Sequence, residues 1–136
     1  MIAKKIKSKT VEKGDYKIYL NKAREFYEIM LKAKEAGKWT AVGLNAVHCV
    51  ISCCCDALLV FHLGIRSMGD DHGQVAELLV RLPLKDLNRE AAVFKRIIAK
   101  KNVIAYENRE FREMEAIDIL KLTERFYRWT IGILPA

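Results

Sequence analysis

Residues 39 to 63 read WTAVGLNAVHCVISCCCDALLVFHL, a long stretch with few polar residues and no proline. Its length and the glycine at position 64 predict one helix that ends there. Because the stretch is apolar on nearly every side, no face of this helix suits water. We therefore expect 39 to 63 to be the central helix of a bundle.

Such a stretch is also long enough to span a lipid bilayer, which needs about 20 apolar residues. Asp56 lies within it, and a charge at the centre of a membrane helix costs about 2.5 to 3.5 kcal/mol. Asn45, His48 and Ser52 add further polar groups. The sequence therefore predicts a buried helix and no membrane partner.

These polar residues form a stripe of their own, since they follow one another at steps of three, four and four: Asn45, His48, Ser52 and Asp56. Two interpretations stay open. The stripe either forms an internal hydrogen-bond network or lines a cleft beside Lys101 and Tyr106. A buried carboxylate requires a cation, so Asp56 should meet Arg66, Arg96 or Lys101.

The flanking segments alternate apolar and polar residues at helical spacing and are joined by short links. The predicted fold is all-α, an antiparallel up-and-down bundle of about five helices, four long and one short. The other predicted helices are 15 to 36, 71 to 82, 86 to 101 and 112 to 133. Predicted helix boundaries are N-caps at Asp15, Asp71 (with Gln74) and Asp86, a stop at Gly37, and a loop over 65 to 71.

The net charge of +7 is concentrated at the start of the chain. We divide the chain into a basic N-terminal arm, 1 to 14, and a single domain, 15 to 136. A lysine-rich arm either strengthens binding to nucleic acid or is a solvated tail. The start lacks the continuous apolar segment of a signal peptide, so we expect a cytoplasmic protein.

All four cysteines fall within seven residues, at 49, 53, 54 and 55. On one helix they point in different directions, and their spacing matches no zinc or redox motif. We expect small buried core residues in a reducing compartment, with no metal and no cofactor.

The predicted fourth helix carries a basic stripe that leads to the residues following it. Arg89, Arg96 and Lys100 recur at steps of seven and four. Arg96, Lys100 and the next residue, Lys101, are the candidate phosphate contacts. An ordinary solvated helix face explains the same pattern, and both interpretations stay open here.

Residues 100 to 109 read KKNVIAYENR, and three of them fall at the spacing of a known motif. Lys101, Asn102 and Tyr106 correspond to an arginine, the asparagine after it, and a histidine five residues beyond the arginine. In this respect the chain resembles the HEPN family, and the resemblance extends over roughly residues 15 to 133. The segments 46 to 52 and 67 to 72 add to it. The resemblance implies a small all-helical domain that usually forms a homodimer.

Active members of that family are metal-independent ribonucleases that use the arginine and the histidine. Here a lysine and a tyrosine replace this pair. Lys101 can still contact a phosphate as a point charge, whereas Tyr106, with an ordinary pKa of about 10, is a weak base at neutral pH. Asn102 either caps the fourth helix or orients Lys101.

The resemblance and this departure predict a protein that binds RNA or a nucleotide and is non-catalytic or weakly active. The alternatives are an interaction subunit of a nucleotidyltransferase toxin-antitoxin pair and an active metal-independent ribonuclease. For Tyr106, a catalytic role competes with a structural one, in which its hydroxyl satisfies a buried partner such as Asp56.

Overall fold

The structure, a computed structural model, describes residues 8 to 67 and 72 to 135, and at 53 to 55 and 72 to 74 it describes the backbone alone. In it, the apolar stretch 39 to 63 forms a central helical rod. The rod consists of α2 (Trp39–Ile51), a π-helical segment (Ser52–Leu58) and α3 (Leu59–Leu63). Gly64 ends it with a φ of 65°, the left-handed conformation that glycine adopts freely. The predicted all-α bundle is confirmed.

The rod passes the length and composition test for a membrane helix. In the described part of the chain, one helix does so: Trp39–Leu63, with a mean hydropathy of 1.9 over its most apolar window. Of that window, 67% is buried inside the bundle. A core helix of a folded domain has the same composition, because it contacts other helices on most sides.

The first long helix, α1 (Tyr16–Glu35), packs along the rod and follows a 3₁₀ turn at Lys13–Asp15. Gly37, with a φ of 68°, terminates it as predicted. Asp15 stands at the N-cap position, but its side chain makes no capping hydrogen bond. The short link between α1 and α2 makes the two helices antiparallel.

The remaining helices of the bundle are α4 (His72–Leu79), α5 (Leu87–Ile98), α6 (Lys101–Ala105) and α7 (Glu113–Ile133). The rod packs against α5, α6 and α7. Asp86 precedes α5 as predicted, but it has a φ of 63° and makes no side-chain capping bond. Its carboxylate instead lies 3.6 Å from the Arg89 guanidinium. The capping box predicted at Asp71 and Gln74 lies outside what the structure describes.

The predicted fourth helix does not reach Lys101, and this prediction was wrong. The helix ends at Ile98, and Lys101 opens the separate short helix α6. No proline or glycine marks the break in the sequence. Ile104 of α6 is buried against Gly43 of the rod, so tertiary packing accounts for the change of direction.

Part of the N-terminal arm and part of the predicted loop form a small antiparallel ribbon. Strand β1 (Ser8–Thr10) pairs with β2 (Ile65–Ser67), and Lys9 lies opposite Arg66. The backbone N–H of Val11 donates to the Gly64 carbonyl at 2.8 Å. The loop prediction is thus wrong over 65 to 67, where the chain gives little strand signal because neither strand alternates polar and apolar residues.

Gly43 lies where the rod packs closely against Ile104 of α6 and against Phe111, which precedes α7. A Cβ atom there would lie 2.8 Å from Phe111 Cε2 and 2.9 Å from Ile104 Cδ1. Alanine normally stabilises a helix interior over glycine by about 1 kcal/mol, but overpacking costs about 1 to 3 kcal/mol. Gly43→Ala is therefore expected to lower the free energy of unfolding by roughly 1 kcal/mol, measured by urea denaturation.

Gly132 provides the matched control, since a Cβ there meets nothing within 4 Å. Gly132→Ala should raise stability by up to about 1 kcal/mol. Adding Ile104→Val to Gly43→Ala removes one of the crowded methyl groups and should recover part of the loss. A Gly43→Ala variant as stable as Gly132→Ala would show that the close packing is absent.

Candidate nucleic-acid interface

A groove of about 560 Å³ lies between the C-terminal end of α5 and α7. Two acidic residues, Glu115 and Asp118, lie in it together with the apolar residues Ile119 and Leu122. Its cationic side chains are Arg96, Lys100, Lys121 and Arg125. Volumes of roughly 300 to 1,000 Å³ are typical of ligand pockets.

The cations reach the groove in two pairs, one on α5 and the residues directly after it, the other on α7. Arg96 and Lys100 belong to the predicted basic stripe, and Lys121 and Arg125 repeat the same four-residue spacing on α7. The sequence analysis missed the second pair, although the spacing was visible. The two stripes face each other only once α5 and α7 are packed together.

The Glu115 carboxylate is already held by protein groups. Arg109 Nη1 and Nη2 donate to its two oxygens at 2.9 and 3.0 Å, and the Arg112 backbone N–H donates at 3.3 Å. The hydrogen bonds from Arg109 hold the pKa of Glu115 at about 2, with smaller contributions from Arg112 and from the charge of Lys100. Because Arg109 offsets its charge, Glu115 opposes an anion in the groove only weakly.

Arg125 is likewise held, by a buried acid of α5. Its Nη2 and Nε atoms lie 3.2 and 3.3 Å from Glu90 Oε1, and the Glu90 side chain is only 4% exposed. In the described residues, Arg96, Lys100 and Lys121 make no ion pair. These three side chains are thus the cations most available to a bound anion.

Lys101 does not line this groove, although the preceding lysine does. It lies near His48 of the rod and is only half-buried. The imidazole of His48 is stacked on the ring of Phe26, with centroids 5.2 Å apart and planes at 27°. Partial burial, and then the charge of Lys101, lower the pKa of His48 below its ordinary value of 6.5.

The polar stripe divides into separate environments. The Asn45 amide donates to the Ala41 carbonyl at 2.8 Å, His48 is exposed, and Ser52 is buried. Within the described chain, no hydrogen bond joins one member of the stripe to another, and Asp56 pairs with Arg66 instead. His48 lies near Lys101, whereas Asp56 pairs with Arg66, so the cleft beside Lys101 and Tyr106 stays a prediction.

Asp56 meets Arg66, one of its three predicted partners, at 3.8 Å. Arg66 Nη1 also donates to the Tyr19 hydroxyl at 3.4 Å. Burial raises the pKa of Asp56 from 3.8 to about 6, and the charges of Arg66 and Lys22 offset only part of this effect. The cluster joins α1, the rod and β2, away from the groove's lining residues.

Tyr106 has no structural role of the kind proposed from the sequence. Its side chain is 76% exposed, and Asp56 pairs with Arg66 instead. Its backbone N–H donates to the carbonyl of Asn102 at 2.9 Å, at the end of α6. Asn102 is itself exposed and cannot cap a helix that ends at Ile98.

Cys49 is buried, as expected for a core residue. In the described parts of the chain, no cluster of three or more His, Cys, Asp or Glu residues is placed to hold a metal ion. No protein-family model matches the sequence, and comparisons with curated proteins and with solved structures also gave no match. The interface is therefore interpreted from its own residues.

Proposed function

We propose that the protein is an HEPN-like RNA-binding protein that is non-catalytic or only weakly active. The observation that carries the proposal is the groove between α5 and α7, where one cavity is lined by three cations that make no ion pair with any residue the structure describes: Arg96, Lys100 and Lys121. Cations that neutralise phosphates release counterions, which drives association with nucleic acid. A groove of this kind follows the backbone of RNA rather than reading its bases.

The apolar residues of the groove favour RNA or a nucleotide over a simple inorganic anion. Leu122 is half-buried among the cations, so a ligand with an apolar face as well as a phosphate is accommodated, whereas Ile119 is only 2% exposed. A nucleotide has both parts, and RNA repeats them. The basic N-terminal segment and the net charge of +7 add long-range attraction for such a polyanion.

Weak or absent catalysis follows from the motif residues. Active HEPN ribonucleases use an arginine and a histidine, and the corresponding positions here hold Lys101 and Tyr106. General acid-base catalysis works best when a group titrates near the working pH, and tyrosine ordinarily titrates near 10. Lys101 retains a positive charge but lacks the bidentate geometry of arginine.

Binding is tested by fluorescence anisotropy with a labelled single-stranded RNA. Replacing Arg96, Lys100 and Lys121 together with alanine should weaken binding roughly tenfold or more, because three phosphate contacts are lost. The control triple variant replaces Lys17, Lys32 and Lys34, which are exposed on α1, and so removes the same net charge elsewhere. Equal loss in both triple variants would mean that net charge alone is responsible.

Activity is tested on the same RNA without magnesium. We expect little or no cleavage by the purified protein. Robust cleavage that Lys101→Ala or Tyr106→Phe abolishes would contradict the non-catalytic proposal and support the active ribonuclease.

The proposal also includes a cytoplasmic homodimer. Light scattering at several protein concentrations tests the dimer.

A second candidate function is the interaction subunit of a nucleotidyltransferase pair. Exposed apolar side chains on one face of α1, Ile18 at 52% and Ile29 at 47%, favour contact with a protein. Failure to bind RNA together with co-purification of a nucleotidyltransferase would support this alternative.

A further inference from the structure

Two consecutive lysines, Lys100 and Lys101, lie at the turn between α5 and α6 and belong to different surfaces. Lys100 lines the cationic groove, whereas Lys101 lies near the imidazole of His48. The break between the two helices accounts for this divergence, since α6 turns away to bury Ile104 against Gly43. Two adjacent lysines of the chain therefore link the groove to the surface around His48.

The surface near Lys101 carries a stacked ring pair. Phe26 of α1 is half-buried and covers one face of His48, which is itself exposed on the rod. Leu44, one turn before His48, is 39% exposed. A flat, accessible ring supported from behind, with a cation beside it, is the combination on which single-stranded nucleic acids stack their bases.

We propose that a single RNA strand runs from the groove over Lys100 and Lys101 and stacks one unpaired base on His48. This inference rests on the proposed function, because the groove supplies the phosphate contacts that bring the strand to the ring pair. Phe26 fixes the orientation of the imidazole, and Lys101 contacts the phosphate of the stacked nucleotide. The lowered pKa of His48 favours the neutral ring near neutral pH.

The ligand class follows from the geometry. A base can lie on His48 only after it has left its own stack, which a single strand permits and a duplex opposes. The chain should therefore prefer single-stranded RNA to a duplex of the same sequence. Any base has a flat aromatic face, so little sequence preference is expected at this position.

The test uses single-stranded RNA with the fluorescent base 2-aminopurine placed at successive positions along the strand. Stacking on the imidazole should quench the probe at one position when the wild-type protein binds. His48→Ala should abolish this quenching and weaken binding on the order of tenfold, the usual effect of losing one base-stacking side chain. His48→Phe retains a ring and should preserve both signals.

The control is Leu63→Ala, which changes an equally exposed leucine at the other end of the rod and should leave quenching in place. Thermal melting of each variant establishes that it is folded. Equal quenching at every position in the wild-type complex, or equal affinity for single strand and duplex, would overturn the stacking proposal without any variant. Unchanged binding by His48→Ala, with loss in the triple variant of the groove, would overturn it while leaving the proposed function intact.

Discussion

Replacing Arg125 with alanine is expected to lower the free energy of unfolding by about 3 kcal/mol. The reason is the carboxylate of Glu90, which is 4% exposed and accepts two hydrogen bonds from the guanidinium. Its other oxygen, Oε2, is buried without a hydrogen-bond partner in the described structure. Without Arg125, the whole carboxylate would be an unpaired buried charge. Chemical denaturation of both proteins measures the difference.

Arg128 provides a control on the same helix. It pairs with Glu124 at 2.7 Å, but both side chains are accessible to water, 72% and 31% exposed. Arg128→Ala should therefore cost only about 0.3 to 0.5 kcal/mol. If the two alanine variants lose similar amounts of stability, Glu90 is solvated and the account of Arg125 is wrong.

A double substitution separates the penalty of the unpaired charge from the value of the pair. Changing both Glu90 and Arg125 to methionine removes the two charges together and keeps apolar volume in the interface. Replacement of a buried ion pair by apolar residues is often neutral or stabilising. The double variant should accordingly be more stable than Arg125→Ala. This result would mean that Arg125 stabilises the fold by pairing with the buried Glu90 carboxylate.

Asp56 makes stability depend on pH in the acidic range. Its pKa is raised from 3.8 to about 6 by burial, so the folded protein binds a proton that the unfolded chain has released. The contribution of Asp56 to the free energy of unfolding is complete below about pH 4 and is lost as the pH rises through 6. The loss amounts to about 3 kcal/mol. Asp56→Asn removes the titration and should lack this decline.

The measurement is the free energy of unfolding of wild type and Asp56→Asn at several pH values from 4 to 7. The difference between the two proteins isolates Asp56 from other acids, such as Glu115, whose lowered pKa has the opposite effect at lower pH. The wild-type protein should lose stability relative to the variant as the pH rises. A constant difference would mean that the 3.8 Å pair with Arg66 compensates for burial in full.

The long helices could be predicted from the sequence because their signals are local. Gly37 and Gly64 take the left-handed conformation that ends a helix, with φ values of 68° and 65°. The predominance of apolar residues in 39 to 63 indicated the central position of the rod. That Asp56 would meet a cation was likewise predictable, because a buried carboxylate requires one, but the sequence left Arg66, Arg96 and Lys101 open.

What could not be predicted depends on contacts between distant residues. Nothing near position 99 signals that α5 stops at Ile98, because the break follows from the packing of Ile104 on Gly43. The same break separates Lys100 from Lys101 and so divides the candidate phosphate contacts between two surfaces. The exposure of Tyr106 follows too, since α6 ends before that residue reaches the core.

The central claim is that the groove between α5 and α7 binds RNA phosphates, and the salt dependence of binding tests it most directly. The logarithm of the association constant should fall linearly with the logarithm of salt concentration, by about 0.7 in slope for each phosphate contact with a single strand. Replacement of Arg96, Lys100 and Lys121 by alanine should reduce the slope by about 2. The same slope in wild type and this triple variant, or binding that does not depend on salt, would contradict the claim.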